Sequence, residues 1–291
     1  MITKHRYSSF ERKERAISLL FASPMIVKTI VFTICCLIFA IYYSFTDYNI
    51  MNDAIHTIKF ENYKSLFNDI LFQKACVNTV YLMLAIPISM TLGFSLAYVL
   101  NKGIFGTSFY RVVYYLPAVS SALAIGIVWK WLLNDEFGVI NRVLGTSVGW
   151  LTDPAVVKNS LILKNVWGGM GGSMLLQLAA MQNIDKGYYE AADLDGASEI
   201  IKIFRITLPL ISPILFYMFT VNIIGGLNAF SDNYIVVSSD ATNTIVYYMY
   251  LKITVYGEYG EACAASVLLG IVVFCMSLIQ FKFSKKWVLE E

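Results

Sequence analysis

The sequence has few charged residues. Only 14% of its 291 residues are Asp, Glu, Lys or Arg, whereas 57% are hydrophobic and the mean hydropathy is +0.62. A chain this apolar is unlike an ordinary soluble domain, so we expect an integral membrane protein. Its net charge of +2 is too small to predict a general attraction to nucleic acid. Because a membrane-crossing helix needs about 20 mostly apolar residues, about six would fit and leave no room for a large soluble domain.

Motifs of catalysis and energy conversion are also missing. The sequence contains no G-K-S or G-K-T phosphate loop, which excludes an ATPase site of that type. It has no H-E-x-x-H motif, no paired carboxylates within a span and no row of arginines, which argues against an intramembrane protease, a proton-driven carrier and a voltage sensor. Residues 145–149 match the G-x-S-x-G pattern of serine hydrolases, but the only histidines, His5 and His56, precede them, so we expect the match to be accidental. We predict that the chain has no catalytic residues and no cofactor of its own.

Cysteine is sparse and unpatterned. The five cysteines are odd in number, form no C-x-x-C pair and fall inside predicted spans, at Cys35, Cys36, Cys76, Cys263 and Cys275. This predicts neither a disulfide framework nor a zinc site, and no other metal site is indicated. The simplest role for these cysteines is that of small apolar residues.

Long apolar runs are what the sequence does contain. The first run follows a basic segment, but it is longer than a signal-peptide core and lacks a small-residue cleavage site, which predicts a retained span. We expect an all-α, polytopic domain over 17–283, between an N-terminal segment 1–16 and a C-terminal tail 284–291. Six membrane-spanning helices are predicted, at 17–45, 75–100, 110–133, 159–181, 208–231 and 261–282.

The cations of the short loops predict the orientation, because positive residues are enriched on the cytoplasmic side of membrane proteins. With both termini inside, the cytoplasmic side holds Lys4, Arg6, Arg12, Lys13, Arg15, Lys102, Arg111, Lys186, Lys202, Arg205, Lys282, Lys285 and Lys286. The outer side holds Lys59, Lys64, Lys74, Lys130, Arg142, Lys158, Lys164 and Lys252 beside an excess of carboxylates. The loop at 184–207 is then cytoplasmic.

Two segments would lie on the outer side. We expect a short surface helix within 46–74, and 134–158 is the longest glycine-bearing loop. Both would belong to the outer face.

The loop at 184–207 is the most informative stretch. Asp185 can cap the N-terminus of a short helix, and Gly196 can end that helix in the left-handed backbone conformation. One face of this helix carries Tyr188, Ala191 and Leu194 at helical spacing.

A second helix follows directly. Ser198 is its predicted N-cap, and the prolines at 209 and 213 are typical of the start of the next apolar segment. One stripe of this helix carries Ile201, Phe204 and Leu208. The pattern predicts a helix, a turn and a helix at a membrane surface.

The same loop resembles the signature loop of the membrane subunits of binding-protein-dependent ABC importers. The residues that carry the resemblance are Glu190-Ala191-Ala192, Asp195-Gly196-Ala197 and Leu208-Pro209. The tight Asp-Gly-Ala version, with Phe204 and Ile206 between the motifs, is most similar to the sugar-importing branch. A simpler interpretation is an ordinary loop whose small residues only allow close packing.

The resemblance implies a type I importer permease fold and a coupling helix that docks in a cleft of a separate ATPase. The coupling residues would be Tyr188, Glu190, Ala191, Ala192, Asp195, Gly196 and Ala197. ATP and Mg would be bound by the partner. The implied assembly has a second, homologous permease chain, two ATPase subunits and an extracytoplasmic solute-binding protein, in the plasma membrane of a prokaryote.

The resemblance also implies a substrate path between the spans that flank the loop. Candidate path residues are Asn165, Trp167, Gly169, Asn228 and Ser231. Trp167 offers a flat apolar surface for a sugar ring, and the asparagines offer hydrogen-bonding amides. The glycines at 168, 169, 171 and 172 fit a distorted helix beside this path, but they also fit close helix packing in lipid.

Two alternatives remain open at this point. The same loop occurs in importers of phosphate, amino acids and peptides, and the scarcity of intramembrane cations argues only weakly against an anionic substrate. An ion-coupled carrier that works without ATP is the alternative from another class of transporter.

Overall fold

The computed structural model describes residues 9–50, 55–237 and 239–284, with backbone only for 9–16. Most of the predicted N-terminal segment 1–16 and of the tail 284–291 therefore lies outside the described side chains. The described regular elements are helical, and the only extended pairings among them are isolated bridges between Thr46 and Thr57 and between Asn49 and Glu258. The all-α prediction is confirmed for this part of the chain.

The helices follow one another with short connections. In chain order they are α1 (Ser9–Lys28), a π-helical turn (Thr29–Ile34), α2 (Cys35–Ser44), α3 (Glu61–Asn68), α4 (Ile70–Leu82), α5 (Ala85–Asn101), α6 (Thr107–Val119), α7 (Ala122–Leu132) and α8 (Val139–Leu144). The second half contains α9 (Val157–Gln182), α10 (Lys186–Leu194), α11 (Glu199–Lys202), a second π-helical turn (Ile203–Thr207), α12 (Leu208–Leu210), α13 (Ser212–Leu227), α14 (Ser231–Ile235), α15 (Ile245–Thr254) and α16 (Tyr259–Ser284). We call the end of the bundle that carries 184–207 the loop end, and the other end the opposite end.

Among the described residues, three stretches are long and apolar enough to cross a membrane, and all three were predicted. They are Ile17–Ser44, Ile70–Asn101 and Tyr259–Ser284. The first is exposed along most of its length, and its end packs on α16. The second begins about a turn before the predicted residue 75, because Asp69 caps α4 by accepting a 2.7 Å hydrogen bond from the Leu71 N–H.

Two predicted spans are bent rather than straight. The span expected at 110–133 consists of α6 and α7, which meet at an angle of 98°. Pro117 removes a backbone donor near the end of α6, and Ser120 and Ser121 are extended, so the helix cannot continue. The prediction of one regular helix over 110–133 was wrong.

The span expected at 208–231 bends by 68° at Ile211. Pro213 lies at the start of α13, and proline at this position favours a new helix start over continuation of the old helix. The helix before the bend begins at Glu199, and α13 ends at Leu227, so Ser231 belongs to the separate helix α14. The bounds 208–231 were therefore also wrong.

Helix α9 corresponds to the span predicted at 159–181. It is one continuous helix that packs along α5 and α6, but its polar residues keep it from passing as an apolar span. By length and composition, the described residues contain three spans, or five if each bent pair is one span. Close packing explains at least one glycine of α9, because a Cβ at Gly171 would lie 1.8 Å from the Tyr114 carbonyl oxygen of α6.

The opposite end is held together by polar contacts between distant parts of the chain. Lys252 of α15 places its Nζ 2.7 Å from carboxylate oxygens of both Glu258 and Glu261, and 3.8 Å from Asp69. The Tyr248 hydroxyl donates a 2.7 Å hydrogen bond to Asp69. This network joins α15 and α16 to the junction of α3 and α4.

The loops of the opposite end bear on two predictions. The short helix expected within 46–74 is α3. The G-x-S-x-G match follows the short helix α8, with Gly145 as its C-cap at φ +63°. A nucleophile elbow connects a strand to a helix, so the accidental interpretation of 145–149 agrees with the structure.

Candidate functional site

The first helix of loop 184–207 begins and ends as predicted. The Asp185 carboxylate accepts a 2.8 Å hydrogen bond from the Gly187 N–H and so caps α10. Gly196 has φ +71°, the left-handed conformation. The N–H of Ala197 donates to the Ala192 carbonyl at 2.9 Å, and the N–H of Gly196 donates to Asp193 at 3.1 Å. These bonds are those of a Schellman motif, which satisfies the last carbonyls of the helix.

Helix α10 presents a large exposed apolar surface. Leu194 is 90% exposed, and Tyr188 and Ala191 on the same face are also exposed. Glu190 and Asp195 are exposed beside them, whereas Ala192 and Ala197 are half-buried at the turn. An apolar face at the tip of a polar loop is typical of a protein-binding surface. All seven predicted coupling residues therefore lie together on one helix and its turn.

The second helix of the loop departs from the prediction in one detail. Ser198 occupies the N-cap position, but its hydroxyl makes no capping hydrogen bond. The helix widens into a π-helical turn over Ile203–Thr207 before α12. Its stripe contributes Phe204 and Leu208 to an apolar groove of about 650 Å³ that α5, α13 and α16 complete.

Loop 184–207 also contains a buried cation that sequence reasoning assigned only to the cytoplasmic side. The Lys202 side chain is 9% exposed and forms ion pairs with Asp193 of α10 and with Glu199. The spacing of Lys202 from Glu199 is the i, i+3 spacing of helix ion pairs, which was the available signal.

The predicted path residues lie near the opposite end of the bundle. Trp167 is half-buried, and its ring centroid lies 5.8 Å from that of Trp129 at an interplanar angle of 65°. Gly169 is exposed and faces Ser89, whose Oγ would lie 3.3 Å from an added Cβ. Asn165 is half-buried, and its amide oxygen lies 3.2 Å from the Nζ of Lys164.

The remaining two path residues belong to the segment after the bent span. Asn228 is the C-cap of α13, and its amide donates a 2.8 Å hydrogen bond to the Ile224 carbonyl of the same helix. Ser231 is the exposed first residue of α14. Asn228 therefore bonds within its own helix. Ser231 lies in α14, which an ion pair connects to α9.

An ion pair between Lys164 and Asp232 joins these elements. The side chains are 10% and 14% exposed, and the two residues are 68 positions apart in sequence. Sequence reasoning placed Lys164 among the cations of the outer side, but it did not predict that the side chain is buried and paired with Asp232. One sequence feature could have indicated this location: Lys164 and Trp167 are one helical turn apart and so share a face of α9.

The ion pair lies about one helical turn along α9 from Trp167, whose ring contacts that of Trp129. We call Trp129, Lys164, Asn165, Trp167 and Asp232 the paired site. Trp129 is 8% exposed, and within the described part of the chain its indole N–H has no hydrogen-bond partner. Indole rings provide apolar surfaces, while the ammonium, amide and carboxylate groups provide donors and acceptors. This combination suits a ligand that carries both hydroxyl groups and apolar ring faces.

Comparisons with known proteins agree on a family. Residues 89–287, which include both loop 184–207 and the paired site, match the family described as "Binding-protein-dependent transport system inner membrane component". The chain is 31% identical to the probable ABC transporter permease protein YesP of Bacillus subtilis, over 95% of this chain and 93% of that protein. It is 29% identical to the arabinooligosaccharides transport system permease protein AraP of the same organism, over 93% of this chain and 89% of that one.

A solved structure has the same fold. A chain of a bacterial alginate ABC transporter, determined in complex with an alginate pentasaccharide-bound periplasmic protein, superimposes with a TM-score of 0.84 at 23% identity. The match covers 94% of this chain and 96% of that one. The chain therefore shares its fold with that chain of the ABC transporter.

Proposed function

The chain belongs to the family of binding-protein-dependent transport system inner membrane components, and from this we propose that it is the permease subunit of an ATP-driven importer of a sugar or oligosaccharide. The observation that carries the proposal is loop 184–207, a capped helix and turn with an exposed apolar face on a chain that resembles sugar permeases over nearly its whole length. The chain itself is a transport component, and ATP hydrolysis belongs to a partner.

Helix α10 is the surface that receives the partner. Leu194 and Tyr188 would enter an apolar cleft of the ATPase, with Glu190 and Asp195 making charged contacts at its edge. The Schellman turn at Gly196 fixes the direction in which the chain leaves the helix. ATP and Mg would be bound by the ATPase, whose closure would displace α10 and rotate the permease between two states of access.

The paired site is the part of the path that would contact the sugar. The Trp167 ring can stack on a sugar face, and Asn165, Lys164 and Asp232 can exchange hydrogen bonds with hydroxyl groups. Because Asp232 neutralises Lys164, the site has no unpaired charge, which favours a neutral sugar over a strongly anionic one. Ser231 and Asn228 would extend this surface toward a second, homologous permease chain.

The bent pairs and α9 together complete a six-span topology. Each bent pair would be one span, and α9 would be the sixth, with its polar residues facing the path rather than lipid. Both termini and loop 184–207 would lie in the cytoplasm, and the opposite end would receive the solute-binding protein. Single cysteines at positions 142 and 153 should react with an impermeant reagent from outside, and those at 186 and 199 only from inside.

Reconstitution tests the proposal. The chain is copurified with its partner permease and ATPase, and the complex is reconstituted in liposomes. Uptake of labelled oligosaccharides is then measured with the solute-binding protein present. We expect uptake that requires ATP, the ATPase and the binding protein together. Uptake without ATP, driven by an ion gradient, would show an ion-coupled carrier instead.

A further inference from the structure

Lys202 of α11 connects the two helices of loop 184–207, α10 and α11, by ion pairs. Its ammonium pairs with the Asp193 carboxylate near the C-terminus of α10 and lies 3.2 Å from an oxygen of Glu199. The aliphatic stem is buried, so the charge is held in a fixed place. Charge-assisted bonds of this kind are shorter and stronger than neutral ones. Helix α10 is thus attached to α11 by a contact separate from the turn at Gly196.

Glu199 continues the connection into the bundle. Its second oxygen accepts a 2.6 Å hydrogen bond from the Tyr98 hydroxyl and lies 2.5 Å from the Lys102 ammonium, both at the end of α5. The same ammonium lies 4.9 Å from the centroid of the Tyr98 ring. We call Tyr98, Lys102, Asp193, Glu199 and Lys202 the loop network.

Helix α5 in turn packs closely against α9. The two helices pack along most of their length, and a Cβ at Gly93 would lie 2.6 Å from the Ser173 Cβ, so their backbones are in close contact. The buried Gln177 of α9 donates a 3.1 Å hydrogen bond to the Met90 carbonyl of α5. Since closely packed helices shift as units rather than deform, a displacement of α5 reaches the part of α9 that carries the paired site.

We infer that the residues of the loop network position the coupling helix for transport by transmitting its displacement to α5 and α9. The inference rests on the proposed function and adds residues that are not among the seven predicted coupling residues. The chain of contacts runs from Asp193 through Lys202 and Glu199 to Tyr98 and Lys102. The half-exposed pair of Glu199 and Lys102 contributes less than the buried ammonium, because water screens it. Lys202 is therefore the residue on which transmission depends most.

Measurement of the sugar transported per ATP hydrolysed tests the inference in the reconstituted complex. Lys202→Met keeps the apolar stem and removes the ammonium, and Asp193→Asn removes its partner charge. We expect each to lower the ratio about fivefold or more, while ATP hydrolysis and ATPase assembly persist, since typical coupling free energies correspond to factors of that size. Asp193→Glu should restore most of the ratio, because Asp193 is exposed and the longer carboxylate can still reach Lys202.

Two further variants separate transmission from folding. Lys282→Met removes an exposed cation from the last turn of α16, outside α10 and the loop network, and should leave the ratio unchanged. Tyr98→Phe removes only a hydroxyl group from α5 and should lower the ratio by a smaller factor than Lys202→Met. A wild-type ratio in Lys202→Met and Asp193→Asn would overturn the inference and leave the proposed function intact. Lost assembly in both, with a wild-type ratio in Tyr98→Phe, would also overturn it by showing a purely structural role. A wild-type complex without ATP-driven uptake would overturn the proposed function and this inference together.

Discussion

The loop end and the opposite end of this bundle differ in whether their charged side chains are exposed or buried. At the loop end, Glu190 and Asp195 are exposed beside an apolar face that no part of the described chain covers. At the opposite end, Lys164 and Asp232 are buried and neutralise each other. Under the proposed function, the loop end requires a partner that brings the complementary surface, whereas the buried ion pair at the opposite end has its counter-charge within this chain.

The difference has an energetic consequence. A substitution on the exposed loop surface changes binding to a partner but leaves few contacts of the chain unsatisfied. A substitution in the paired site leaves a buried group without its partner, which costs far more. The two regions are thus expected to differ in whether a variant fails in coupling or in stability.

The largest effect should follow from breaking the ion pair of the paired site. Lys164→Met leaves the Asp232 carboxylate buried and unpaired, which should lower the stability of the complex by about 3–5 kcal/mol. The double variant Lys164→Met with Asp232→Leu should recover most of this loss. Thermal unfolding in detergent measures both. Equal stability of the single and double variants would mean that the pair is not buried as described.

Substitution of Gly196 should lower stability less than the loss of the ion pair does, but it should specifically uncouple transport from ATP hydrolysis. A Cβ there meets no atom within 4 Å, so Gly196→Val acts only through the left-handed backbone, at about 1–3 kcal/mol. Gly103, at φ +78° and equally free of neighbours, provides the matched control in another loop. Uptake should be uncoupled from ATP hydrolysis in Gly196→Val and normal in Gly103→Val. Similar uptake in the two variants would contradict the assignment of 184–207 as the coupling loop.

A change at Trp167 should affect transport more than stability. Trp167→Leu keeps apolar bulk but removes the edge-to-face contact with Trp129, worth about 0.5–1.5 kcal/mol. Uptake should fall, while stimulation of the ATPase by the loaded binding protein is retained. Trp131→Leu, an exposed position on α7, is the control and should transport normally. Normal uptake by Trp167→Leu would remove this residue from the path.

The smallest effect concerns pH at the opposite end. Burial opposes ionisation of Asp69, but hydrogen bonds from Tyr248 and the Leu71 N–H, with the charge of Lys252, outweigh it and lower the pKa of this carboxyl. Its contribution is present above the ordinary Asp pKa of about 4 and is lost as pH falls through the lowered value. The stability difference between wild type and Asp69→Asn should therefore shrink from pH 7 toward pH 3. A constant difference would show that Asp69 is not ionised in this network.

Sequence reasoning succeeded where the determining contacts are local. The capping by Asp185 and the left-handed Gly196 depend on residues within one turn, and both are confirmed. The first and last spans were predicted because their apolar runs are uninterrupted. The 98° bend between α6 and α7 was missed, since Pro117 is compatible with a kinked span as well as with a broken one.

The paired site was beyond sequence reasoning for a physical reason. Lys164 and Asp232 are 68 residues apart, one inside the predicted span 159–181 and the other just after the predicted span 208–231, so no local spacing relates them. Only the packing of α9 against α14 makes them partners. Trp167 was identified from its own chemistry, but its contact with Trp129 depends on packing between distant segments, which the sequence does not show.

The central claim, that helix α10 docks on an ATPase, is tested most directly by a cross-link. Single cysteines replace Leu194 at the loop end and Val143 at the opposite end, both exposed, in a background that lacks Cys35, Cys36, Cys76, Cys263 and Cys275. A short bifunctional reagent is applied to the purified complex, and products are resolved by mass. The account predicts a cross-link between position 194 and the ATPase subunit and none from position 143. An intact complex with no cross-link at 194, or with equal cross-linking at both positions, would contradict it.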